Sequence, residues 1–101
     1  MVFEITRMKA KTRIDKSREL IRQALDMAYG SYIEQEGKKG DIWRDQSIGQ
    51  LGDHIRHEIN DEVMKNLRTG DFGFLIHNAM DVIELAAMLL TKANELIKKK
   101  R

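Results

Sequence analysis

No cysteine and no proline occur in this 101-residue chain, and only six of its residues are aromatic. The missing cysteine excludes disulfides, thiol nucleophiles and cysteine-type zinc sites. Without proline nothing forces a kink, so helices can run long. Few aromatics and no β-branched runs argue against a sheet. A dominant charge is also lacking. Eighteen lysines and arginines face sixteen acids, for a net charge of +2. The signs are mixed along the chain, which argues against a nucleic-acid-binding surface. No stretch of membrane-spanning length is free of charges, so no bilayer crossing is expected. The first residues, Met1-Val2-Phe3-Glu4, lack the basic-then-apolar layout of a secretory signal. These absences together give the expectation of a cytoplasmic protein with one domain and one core.

What is present is helical periodicity. Residues 1–14 read as an N-terminal arm, extended or a short helix, because Val2, Phe3, Ile5 and Met8 keep no single period. From Asp15 to Glu36, apolar residues recur at three- and four-residue steps: Leu20, Ala24, Leu25, Ala28, Tyr32. Gly30 interrupts that run, either at a cost of about 1 kcal/mol or as a point of close helix approach. Residues 37–41 read as a loop. Ser47 with Gln50 three residues later is a capping-box pattern that opens a second helix. Gly70 ends it near Arg68, and Asp71 caps a third helix reaching about Lys98. The last residues, 99–101, form a basic tail whose cations suit a helix C-terminus. The fold class is therefore all-α: an antiparallel bundle of three main helices, spanning residues 15–98. The apolar back of the third helix, Ala79, Ile83, Ala86 and Leu90, points to completion by dimerisation.

Polar residues interrupt the two later helices where a core is expected. On a wheel of about 100° per residue, Ile48, Leu51, Ile55, Ile59 and Val63 form one stripe of the second helix. Glu58 and Glu62 fall on or beside it, with Asp61 and His54 on the same side. In the third helix Asn78 and Asp81 fall inside the face of Phe74, Val82, Leu85 and Met88. A helix apolar nearly all round is expected to be buried. A buried carboxylate then needs a cation or donors. Arg18, Arg22 or Arg56 could pair with Asp81, and His77 could serve as well. Several carboxylates converging between two helices repel one another unless a cation sits among them, and hard divalent ions take oxygen ligands. His54 and His57 stand three apart, whereas helical zinc pairs stand four apart. All three histidines read as peripheral, with His54 nearest the site.

The second and third helices resemble those of the MazG-like nucleoside triphosphate pyrophosphohydrolases, over roughly residues 15–95. That family carries an E-E-x-x-E run on one helix and E-x-x-D on the next. This chain has His57-Glu58-Ile59-Asn60-Asp61, then Asn78-Ala79-Met80-Asp81. The segment from Ala79 to Leu89 and Trp43 upstream also look like the family's. His57 stands in place of the first acid and Asn78 in place of a glutamate, which lowers the negative charge. The resemblance implies hydrolysis of an NTP or dNTP to the monophosphate and pyrophosphate with Mg²⁺, or Mn²⁺ in its place. It implies metal ligation by Glu58, Asp61, Glu62, Asn78 and Asp81, with Glu58 and Glu62 catalytic. Lys38, Lys39, Arg44 and Lys65 are available for phosphates, Trp43 for a base, and His54 for substrate contact. A dimer or dimer of dimers is the implied assembly. Two other readings remain at this stage. One is a non-catalytic nucleotide- or protein-binding module with a decayed site. The other is a DNA-binding helix at 47–68, which its own acids oppose.

Overall fold

The computed structural model describes residues 2–100, with side chains from Lys9 to Lys100. Every described element is helical. The first helix, α1, runs from Val2 to Lys39. A 3-10 turn spans Ile42–Asp45. The helix α2, Ile48–His57, passes without a break into a π-helical segment, Glu58–Val63, and then into α3, Met64–Thr69. The last helix, α4, covers Phe72–Lys99 and packs against all the others.

The helix ends follow local chemistry. At α2 the capping box is complete: the Ser47 hydroxyl accepts from the Gln50 amide at 3.1 Å, and the Gln50 side chain accepts from Ser47 N–H at 2.8 Å. Gly70 adopts a left-handed φ of 71° after α3, and Asp71 caps α4 by accepting from Phe74 N–H at 3.3 Å. α1 runs three residues past the expected end at Glu36, to Lys39, and the break falls inside the expected loop, at Gly40, where φ is 68°. α1 continues smoothly through the boundary expected at residue 14. The apolar residues of the expected arm, Val2, Phe3, Ile5 and Met8, and the tail residue Arg101 lie outside the described side chains. A methyl group on Gly30 would meet nothing within 4 Å, so close helix approach within the chain is not its reason.

The core is small. Leu51 is fully buried, and Ala28 and Leu85 nearly so. The expectation that α4 is buried nearly all round holds only along Asn78, Glu84 and Leu85. Phe74 and Leu90 remain 64% and 63% exposed. The reason is that α2, α3 and the C-terminal part of α1 cover only one side of α4. One described helix, α4, has the length and composition that a membrane crossing needs, as core helices of soluble proteins also do, with a mean hydropathy of 1.5 over its best 18-residue window. The charges counted against it, Asp81 and Glu84, are few and both turn toward one face.

Candidate functional site

Three helices and the 3-10 turn wall a cavity of about 400 Å³. α1 contributes Tyr32, Gln35, Glu36 and Lys39, one face of a helix at three- and four-residue spacing. The turn contributes Ile42, Trp43 and Gln46. α2 and the first π-helical residue contribute His54 and Glu58. α4 contributes His77, Asp81, Glu84, Leu85 and Met88, again one helical stripe.

The acids gather at the junction of the π-helical segment with α4. His54 Nε2 lies 3.7 Å from Glu58 Oε1. The other oxygen, Glu58 Oε2, is buried and has no hydrogen-bond partner among the described residues. An unpartnered buried carboxylate oxygen is costly, and its usual remedy is a cation or a donor from a ligand. Across the cavity, Asp81 is half-buried, and among the described residues it has no arginine or lysine ion pair. Arg56, one candidate for that role, binds Asp53 at 2.9 Å instead. Glu84, one turn beyond Asp81, is only 8% exposed. Burial, then the Asp81 charge and a hydrogen bond with Asp81, push its pKa up to about 7, opposed by a hydrogen bond from Ser31 of α1 and the His77 charge. Among the described residues, no three His, Asp or Glu side chains stand close enough to enclose an ion by themselves.

The opposite end of the cavity is aromatic and amide-rich. Trp43 Nε1 donates to Tyr32 Oη at 3.0 Å. A hydrogen bond to Glu36 is the leading cause raising the Tyr32 pKa above 10.0. The turn that carries Trp43 is tied to α4. Lys92 Nζ donates to the carbonyls of Arg44 and Gln46, and Arg44 pairs with Glu95 at 3.3 Å.

Of the residues singled out from sequence, Glu58, Asp81, His54, Trp43 and Lys39 line this cavity together. Others do not, and each has a physical reason. Asn78 is buried, but its amide donates to Asn66 Oδ1 at 2.7 Å, so it ties α4 to α3. Asp61 is exposed and pairs with His57 Nδ1. Glu62 is half-buried outside the cavity lining. Both acids lie in the π-helical segment Glu58–Val63, where the regular α-helical wheel used to place them does not apply. Lys38 pairs with Glu34 at 3.6 Å. Arg44 lies over the Trp43 ring at 5.6 Å, turned to Glu95 rather than inward. Lys65 is exposed on α3.

Sequence reasoning passed over Glu84, Gln35, Glu36 and Gln46 as site residues. For Glu84 the signal was available, since it stands three residues from Asp81 and seven from His77 on one helical line. For Gln46 there was none, because a turn has no period. Compared with family models, curated proteins and solved structures, the chain matches none of them.

Proposed function

We propose that this cavity binds a nucleoside triphosphate at its acidic end through a divalent cation and hydrolyses it to the monophosphate and pyrophosphate. The observation that carries the reading is Glu58 Oε2, a buried carboxylate oxygen without a partner, in the same cavity as Asp81 and Glu84. The donor set suits a hard cation, because carboxylate oxygens are the ligands such ions take. Mg²⁺ keeps several waters, so it needs only one or two direct carboxylates rather than a closed cage. Glu58 and Asp81 are the residues that would hold it, with His54 steadying Glu58. When bound, Mg²⁺ or Mn²⁺ supplies charge neutralisation for phosphate oxygens and lowers the pKa of a water. Asp61, Glu62 and Asn78 have no part in this reading.

The chain's own groups do the rest. Trp43 offers a face to a base, and Gln35 and Gln46 offer amides to its edge. Lys39 at the rim offers a charge to a phosphate. Glu84, one turn from Asp81 in the same cavity, would accept a proton from the attacking water. The water oxygen attacks the α-phosphorus, the bond to the bridging oxygen breaks, and pyrophosphate leaves with its electron pair. The fold supporting this is taken to be an antiparallel helical bundle completed by a second copy.

Pyrophosphate release over a panel of NTPs and dNTPs, with and without Mg²⁺, tests the reading. Metal-dependent release from at least one nucleotide is expected. No release from any of them overturns it. One observation favours a second reading, a nucleotide-binding module without turnover: the acids stand too far apart to enclose an ion unaided. Calorimetry that finds nucleotide binding without hydrolysis selects it.

A further inference from the structure

A second cavity, of about 430 Å³, opens between α1 and α4 and shares Tyr32, Trp43, Glu84 and Met88 with the acidic one. Helical spacing builds its walls. α1 contributes Leu25, Tyr29 and Tyr32 at four- and three-residue steps, and α4 contributes Ile83 and Ala87 four residues apart. The 3-10 turn brings Trp43 to it, held there by Lys92 and by the Arg44–Glu95 pair. Both tyrosines of the chain and its only tryptophan therefore meet at this one cavity.

Charge selects the occupant. Asp26 and Glu84 line the cavity, and among the described residues no lysine, arginine or histidine does. Among those residues neither carboxylate has a lysine or arginine ion pair. An anion, a phosphate included, would meet two like charges. A hard metal ion would find few oxygens among apolar walls. A neutral apolar molecule would face the carboxylates with no counter-charge. A cation whose charge is spread over methyl groups suits every wall. Its methyls bury against Ile83 and Ala87, and its charge is drawn to aromatic faces and to the carboxylates. The size also fits, since small-molecule sites run from about 300 to 1,000 Å³. Trp43 already takes a cation, the Arg44 guanidinium at 5.6 Å, which Glu95 neutralises. Tyr29 and Tyr32 are the rings left for an occupant.

We propose that this cavity binds a small quaternary or methylated ammonium cation, with Tyr29 and Tyr32 as its aromatic walls and Asp26 and Glu84 as its counter-charges. The proposal is independent of the nucleotide reading and uses none of its chemistry. The two sites are neighbours, because Tyr32 and Glu84 wall both.

Calorimetry on the full chain tests it, with choline and with dimethylbutanol, the uncharged carbon isostere of choline. The assay is run at pH 8, above the Glu84 pKa of about 7. Choline is expected to bind at least about tenfold more tightly than the isostere and to shift the emission of Trp43. Tyr29→Leu should weaken choline by about fivefold, and Tyr29→Phe, which keeps the ring, should not. Tyr29 is 66% exposed, so neither change threatens the fold. Asp26→Asn should weaken choline and leave the isostere unchanged. Equal affinities for choline and the isostere overturn the proposal, as does the absence of heat at millimolar choline. Binding lost in Glu58→Gln but kept in Tyr29→Leu places the cation in the acidic cavity and overturns it. Choline affinity that falls as protein concentration rises puts a second copy over the groove and also overturns it. Pyrophosphate release is read separately and bears only on the acidic cavity.

Discussion

The amide of Asn78 donates to Asn66 Oδ1 at 2.7 Å, joining α4 to α3 just past the π-helical segment, with both residues buried. The bond ties α4 to α3 one turn before Asp81, which lines the cavity with Glu84. Asn78→Ala leaves the Asn66 amide without this partner. A loss of about 1–3 kcal/mol is expected, read from urea unfolding. Replacing both residues with leucine should restore much of it. If the single variant is as stable as the wild type, this bond does not set the position of α4.

The acids divide into two groups. If nucleotide turnover is found, Glu58→Gln and Asp81→Asn should each lower it by at least about 10²-fold, while circular dichroism stays unchanged. Asp61→Asn and Lys65→Ala should leave it close to wild type, because neither residue lines the cavity. Equal losses at Asp61 and Asp81 would contradict this assignment.

Glu84 links stability to pH. Its pKa in the folded chain is about 7, against an ordinary 4.5. Between those values the folded chain holds a proton that the unfolded chain has released. The unfolded state therefore binds fewer protons, and stability contributed by Glu84 falls as pH rises from about 4.5 through 7. Melting temperatures at pH 5 and pH 8 measure it. The drop between them should be smaller in Glu84→Gln. An identical drop in both proteins would contradict the assignment.

Lys92 is placed to hold the turn that carries Trp43, through the carbonyls of Arg44 and Gln46. Lys92→Met keeps the aliphatic stem and removes the donors. A loss of about 1–2 kcal/mol is expected, with a red-shifted Trp43 emission as the turn opens to water. If nucleotide turnover is found, KM should rise more than kcat falls, since the change acts on binding. Unaltered emission would mean that Arg44 and Glu95 suffice to hold the turn.

Much of this protein was legible in its residues alone. The capping box at Ser47 and Gln50, the left-handed Gly70 and the Asp71 cap are local, because each is decided by side chains three or four positions apart. Hydrophobic periodicity is local for the same reason, so an all-helical chain followed from it. Glu58 and Asp81 were legible too, as polar residues on apolar stripes, and they do share the cavity. Tertiary structure decided the rest. The π-helical turn at Glu58–Val63 has no sequence period of its own, and Asp61 and Glu62 lie within it, outside the cavity lining. Asn78, read as half of a metal pair, meets Asn66 because α3 happens to lie there, and no spacing encodes that meeting. Glu84 takes its proton affinity from burial and from Asp81 beside it. Such values depend on where water can reach, and that is settled only when the helices pack.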